Sequence, residues 1–181
     1  MVNPSASSVD FFERLGLPRQ FGLEREAIEQ AYLERAQAVH PDRFASGSAA
    51  EQRAAMEASA AVNEAHRVIR DPVRRAEYLC QLAGIDVDSN DPRQGAPAMG
   101  QAFLVEMIER REALEDARGQ GPAALEAMRS RVDDELDDAL DAAVRALEAD
   151  DPPDAARYLV KRRYLQRLLD EIDSATSSSS E

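Results

Sequence analysis

The sequence predicts an all-α protein, and three observations carry that expectation. Apolar residues recur at spacings of three and four through several segments, the period of a helix with one buried face. Aromatic residues make up only 5% of the chain, tryptophan is absent and alanine is abundant. A core of that kind suits close-packed helices better than a pleated sheet. Glycines number only 8, and the prolines fall mostly between the periodic segments rather than inside them. A chain of 181 residues holds one domain or two small ones.

Each element follows from local chemistry. Residues 1–8 are small and polar and are expected to form a mobile arm. In "DFFERLG", Asp10 can cap a short helix with Glu13 at its third position, and Gly16 can end it. Residues 24–39 form a second helix with Ile28, Tyr32, Leu33, Ala36 and Val39 on one face, stopped by Pro41. Ser48 to Glu51 reads as a capping box opening a third helix, whose seam is Ala55, Ala58, Val62, Ala65 and Ile69. Asp71-Pro72 starts a shorter helix carrying Tyr78, Leu79 and Leu82 and ending at Gly84.

Residues 85–98 lack periodicity and are rich in turn chemistry, which makes them the expected linker. Three helices follow, over 99–118, 122–149 and 154–173. The middle one carries Leu125, Met128, Val132, Leu136, Leu140, Val144 and Leu147. The last turns Ala155, Tyr158, Leu165, Leu169 and Ile172 toward a core. Residues 174–181 read as a disordered tail.

Charge and composition exclude several function classes. The net charge is −13, so an acidic chain without a basic stripe is a poor partner for nucleic acid or anionic membranes. Cys80 is the single cysteine, so no internal disulfide and no CxxC pair can form. No apolar run reaches the length of a membrane span. The start "MVNPSASSVD" has neither a basic n-region nor an apolar stretch, so the cytosol is the expected compartment.

The segment "VHPDRFASGS" (39–48) links the second and third helices. Long helices joined by a short loop pack antiparallel, which puts His40, Pro41 and Asp42 at an exposed tip. Pro41 fixes its own φ and holds His40 extended, so both flanking side chains sit on a stiff turn. Such a turn loses little freedom on docking. Alternatively, Pro41 merely stops the helix and His40 sits favourably at its C-terminus.

The helix at 99–118 carries more apolar surface than a bundle needs. Phe103, Met107, Leu114 and Ala117 share one face, interrupted by Arg110. Leu104, Val105 and Ile108 lie toward the opposite side with Glu109, Glu112 and Asp116. One stripe suffices for burial, so the second is either covered by another part of the chain or is a contact surface for a partner.

The surroundings of the loop resemble a J-domain. The "HPD" tripeptide lies between two packed helices. Asn63, Ala65, Asp71-Pro72, Arg75, Ala76 and Tyr78 within "VNEAHRVIRDPVRRAEYL" stand where that pattern expects them. "HPDRFASGSAAEQ", "RRAEYLCQLAGIDV" and "AFLVEMIERREAL" narrow the resemblance to the HscB family, J-domain co-chaperones of iron–sulfur cluster assembly. It implies a J-domain over 9–84 and a three-helix scaffold-binding domain over 99–173, in an elongated or L-shaped arrangement. It further implies a monomeric bacterial cytoplasmic protein without a cofactor. His40, Pro41 and Asp42, helped by Arg35 and Arg43, would engage a DnaK-class chaperone, HscA, and stimulate its ATP hydrolysis. Leu104, Val105, Ile108, Glu109, Glu112, Asp116 and Tyr164 match positions that hold the scaffold protein IscU.

Three departures stand out. Arg43 replaces the lysine usual after HPD. The second helix, basic in most J-domains, carries Glu24, Glu26, Glu29 and Glu34 against Arg25 and Arg35. Long-range attraction then falls to Arg35, Arg43 and the arginines near 67–75. His66 stands where an aromatic residue is common and reads as a packed histidine. Two other functions compete: a J-protein with a different client, and an enzyme using His40, Asp42 and His66 as acid–base groups or metal ligands. The latter lacks a third convergent ligand.

Overall fold

The structure, a computed structural model, describes residues 9–89, 91 and 93–178. The expected arm at 1–8 and the last three residues of the chain lie outside the described residues. Among the described residues seven α-helices follow in order: α1 Phe11–Leu15, α2 Arg25–Ala38, α3 Ala49–Arg70, α4 Pro72–Leu82, α5 Gln101–Gln120, α6 Pro122–Glu148 and α7 Pro152–Ser178. The chain divides into two compact units, one ending at Leu79 and one beginning at Cys80.

The first unit is built on its caps. Asp10 accepts from the Glu13 amide at 2.9 Å and pairs with Arg19, and Gly16 closes α1 at φ 76°. Ser48 and Glu51 form the full capping box at the start of α3. The Asp71 carboxylate accepts from the Arg74 amide at 3.0 Å at the start of α4. These bonds satisfy helix-end amides that packing leaves open.

The core of this unit is Phe12, Leu15, Ile28, Val62, Ala65 and Ile69. Tyr78 stacks on Phe11 at 4.4 Å between centroids, and its hydroxyl accepts from the Phe11 amide at 3.0 Å. Burial pushes the Tyr78 phenol above its ordinary pKa. Between α2 and α3, Glu29 meets His66 and Arg70 while Tyr32 meets Asn63 and His66. Partner numbers fall on α3 as they rise on α2, so the two helices run antiparallel.

One residue of the expected apolar face of α2 is corrected. Leu33 is 64% exposed. It lies five residues from Ile28, about 140° around the helix and off the buried stripe. Leu82 is exposed too, while Ala76 and Cys80 on the same helix are buried.

In the second unit, Met107, Leu114 and Ala117 of α5 meet Leu125, Val132 and Leu136 of α6 and Leu165, Leu168, Leu169, Ile172 and Ala175 of α7. The second half of α6 buries Ala139, Ala143 and Ala146, with Leu140, Val144 and Leu147 only half-buried. Across the turn, α7 supplies buried Ala155, Ala156 and Leu159. Small residues here let the two backbones approach closely, so the sites with the largest side chains are not the deepest. Arg110, which interrupts the apolar face of α5, spans to α6: it bonds Glu135 at 2.9 Å and Glu106 at 3.0 Å. Those carboxylates hold its pKa above the ordinary value.

Two expected boundaries shift. Helix α7 continues to Ser178, so residues 174–178 are helical rather than a disordered tail. The expected linker over 85–98 is held in place at several of its described residues. Asp86 bridges Gly95, Val87 is buried, and Arg163 of α7 donates to the Val87 carbonyl at 2.9 Å. Gly95 is needed there, because a Cβ would collide with the Ser89 carbonyl.

Candidate functional site

The loop between α2 and α3 is a turn rather than open coil. His40 takes φ −60°, ψ 128°, and Pro41–Phe44 follow as one 3-10 turn. Proline disfavours helical geometry in the residue before it and favours the first position of a helical turn, so the sequence His-Pro dictates this kink. The Asp42 amide donates to His40 Nδ1 at 3.3 Å, and the Arg43 amide donates to the His40 carbonyl at 3.0 Å. With Nδ1 as the acceptor, the proton of a neutral His40 lies on Nε2, free to donate outward. The Asp42 carboxylate stands 3.6 Å from the same Nδ1. In this tautomer that approach is no ion pair, since Nδ1 already accepts the amide hydrogen. The Asp42 side chain is 90% exposed, which leaves its acceptors available to a partner.

The far side of the loop is clamped by α3. The Gln52 side-chain amide donates to the carbonyls of Ala45 at 3.1 Å and Gly47 at 3.0 Å. Gln52 was not singled out in the sequence; its place one residue after the capping-box glutamate is the available signal. Ser48 donates from its amide and hydroxyl to Glu51, at 2.7 and 2.8 Å, and holds that carboxyl below its ordinary pKa.

Arg43 is exposed in the turn beside Asp42. Arg35 is exposed on α2 with its guanidinium over Gly16, at the C-terminal end of α1. The outer face of α2 runs from His40 through Leu33 to Arg25 and includes Glu26, Glu29 and Glu34. His66 is packed as expected, stacked on Tyr32 at 4.0 Å with Nε2 3.2 Å from Glu29. It lies about 25 Å along α3 from the loop, at 1.5 Å per residue, so His40, Asp42 and His66 do not converge. Among the described residues no three His, Cys, Asp or Glu side chains group to hold a metal. Arg67 pairs with Glu64, Arg70 with Glu29, and Arg75 is buried with its guanidinium 4.7 Å from the Phe21 ring centre.

The second candidate surface lies on α5. Leu104, Val105 and Ile108 are exposed, Ile108 to 57%, and Glu109, Glu112 and Asp116 are exposed beside them. Tyr164 is less open than these side chains. It is half-buried, edge-on to Phe103 at 5.6 Å, with Arg167 5.9 Å above its ring. It rejoins Leu104 in a groove with Met99, Pro97 and Val160. Position 164 is one residue before Leu165, so the ring lies at the edge of the buried stripe and can reach both core and surface. Among the described residues no helix is long and apolar enough to cross a membrane.

Comparison with known proteins matches this architecture. A family model described as the DnaJ domain covers residues 10–78, and one described as the HSCB C-terminal oligomerisation domain covers 99–173. The co-chaperone protein HscB homolog of Bordetella avium is 44% identical over 74% of both chains. That of Azoarcus sp. is 38% identical over 92% of this chain and 93% of its own. Among solved structures, chaperone HscB from Vibrio cholerae superposes with a TM-score of 0.74 at 30% identity, covering 93% of this chain and 98% of that one. Human co-chaperone protein HscB gives 0.76 at 27%, covering 96% and 83%. The chain belongs to the HscB family of J-domain co-chaperones.

Proposed function

We propose that this protein stimulates ATP hydrolysis by an HscA-type DnaK-class chaperone and delivers the iron–sulfur scaffold IscU to it, in the cytoplasm. The exposed His40-Pro41-Asp42 turn, braced from both sides inside a DnaJ-type domain, is the observation that carries this reading. A partner ATPase has resting and hydrolysis-competent states, and a ligand shifts that balance only by binding one better. A braced turn supplies its contacts without first being ordered. His40 offers an outward Nε2 donor and Asp42 a free carboxylate, while Arg43 and Arg35 add positive charge nearby.

In the second unit, Leu104, Val105 and Ile108 form the apolar centre of the scaffold contact. Glu109, Glu112 and Asp116 are its acidic rim, and Tyr164 is an anchor at its edge. Apolar residues in the middle with charges around them match the anatomy of protein interfaces. The rim calls for a basic patch on the scaffold. The J-domain spans 9–84, residues 85–98 join it to the scaffold domain, and that domain spans 99–173. The chain itself catalyses nothing; it couples two partners.

The test is a steady-state ATPase assay with the chaperone, varying this protein and the scaffold. Asp42→Asn is expected to abolish stimulation while leaving helix content and scaffold binding unchanged. Normal stimulation by that variant refutes the assignment of the loop. Failure of the wild-type protein to capture IscU removes the scaffold half and leaves a J-protein for another client.

A further inference from the structure

The second unit carries a cation beside its proposed scaffold contact. The segment "KRRYLQR" (161–167) holds the chain's only lysine and three arginines, so this part of α7 is basic in a chain that carries −13. Arg163 and Arg167, one turn apart, border the groove of about 710 Å³ that also holds Leu104, Tyr164 and Met99. The two arginines are used differently. Arg163 builds the wall: it donates to the Val87 carbonyl at 2.9 Å and to the Asp88 carboxylate. Arg167 is exposed and makes no hydrogen bond or ion pair among the described residues. Its guanidinium lies 5.9 Å from the centre of the Tyr164 ring.

Arg167 has ordinary partners within reach and does not take them. Asp170 and Glu171 stand three and four residues on, the spacing at which a helix pairs opposite charges. Asp170 accepts from the Gln166 side chain at 3.1 Å, and Glu171 pairs with Arg111 of α5 at 3.1 Å. Arg167 instead turns back along α7, over the ring one turn before it. Two carboxylates share the groove. Asp88 is held by Arg163, and Asp91 accepts from the Arg93 amide at 2.9 Å. Arg167 is thus a cation without a counter-ion, next to the apolar centre of the α5 surface. The acids of that surface lie elsewhere. Glu109 and Asp116 stand about 120–140° farther round α5 than Leu104, at 3.6 residues per turn, while Leu104 shares the groove with Arg167. One side of the apolar centre is therefore negative and the other positive.

We propose that Arg167 receives an Asp or Glu side chain of the scaffold, seated in this groove against Tyr164. This rests on the scaffold reading above and gives that contact a direction. The scaffold meets the domain with opposite charges on its two sides: a cation toward Glu109, Glu112 and Asp116, and a carboxylate on Arg167. Turned the other way round, it would bring like charges together on both sides, so the two contacts select one orientation. A guanidinium offers a carboxylate two parallel donors. One already placed over a ring loses little freedom on pairing. Arginine and tyrosine are also the side chains that most often anchor protein contacts.

The full-length protein tests this by calorimetric titration with IscU at low and high salt. Arg167→Glu is expected to weaken binding roughly tenfold at low salt and by less at high salt. Circular dichroism and thermal melting check its fold. Arg167→Gln, expected to weaken binding roughly threefold, carries the test if the charge reversal does not fold. Exposed Asp and Glu side chains of IscU are then reversed to arginine one at a time. One such reversal is expected to weaken binding to the wild-type protein and to restore affinity for Arg167→Glu. Wild-type affinity in both Arg167 variants overturns the proposal. So does a loss that is equal at both salt concentrations and that no reversed carboxylate rescues, since Arg167 then only supports Tyr164. Ile108→Ala separates the two levels. If IscU does not bind the wild type, or binds Ile108→Ala equally well, the scaffold reading falls and the Arg167 contact with it. If Ile108→Ala weakens binding and neither Arg167 variant does, only the Arg167 contact falls.

Discussion

The loop at 40–48 and the outer face of α5 are both exposed and both assigned to partners, yet they are made differently. The loop is local: a proline sets its kink, its own amides close onto His40, and Ser48, Glu51 and Gln52 brace it within a dozen residues. The α5 face exists by subtraction. Met107, Leu114 and Ala117 are taken by α6 and α7, and Leu104, Val105 and Ile108 are what the bundle leaves over. A local site survives changes in the packing around it. A site made by subtraction changes whenever the packing does.

The largest test of that contrast is Asp42→Asn. It should remove stimulation entirely with no shift in melting temperature, because its side chain supports nothing in the fold. Next comes a paired test on α5. Leu114→Ala should cost about 2–5 kcal/mol of stability, from a cavity in the core, read by denaturant titration. Ile108→Ala should change stability by less than about 0.5 kcal/mol and instead weaken scaffold binding by roughly tenfold, read by calorimetry. If both variants lose stability alike, the outer face is packed and not a docking surface.

Smaller effects should come from the braces. Ser48→Ala removes the cap of α3 and should cost about 1 kcal/mol, with a raised half-saturation for stimulation because the loop loosens. The partner in that box titrates. Glu51 is held below the ordinary carboxylate range, so its contribution is complete above that range and is lost as pH falls through the lowered value. Glu51→Ala should therefore destabilise the protein at neutral pH and do so less in strong acid, checked by denaturation at both. The smallest effect is Pro41→Ala. It frees the turn in the unbound state, costing about 0.5 kcal/mol and a two- to threefold rise in half-saturation, with maximal stimulation kept.

The residues legible in advance were those whose chemistry is local. Asp10, Gly16, Ser48, Glu51 and Asp71 act within three or four positions of themselves, and each does in the structure what its spacing implied. Of the assignments that failed, Leu33 has the residue type of a core position but lies off the buried stripe by its own spacing. Elsewhere the outcome depended on a neighbour far along the chain. Tyr164, matched to the scaffold contact, is half-buried, edge-on to Phe103, 61 positions away. Residues 85–98 read as a linker because turns have no period, yet Arg163 of α7, far along the chain, holds Val87 and Asp88.

The sequence by itself determined the helical class, the caps, the kink at His40-Pro41 and the family, since each is written in residues a few positions apart. Tertiary structure decided which apolar residues remain exposed on α5 and that residues 174–178 are helical. It also decided that Arg111 of α5 takes Glu171, so that Arg167 stands unpaired over Tyr164. Periodicity fixes which residues share a face of a helix. Only packing decides whether another element covers it, because burial belongs to pairs of elements and not to either one alone.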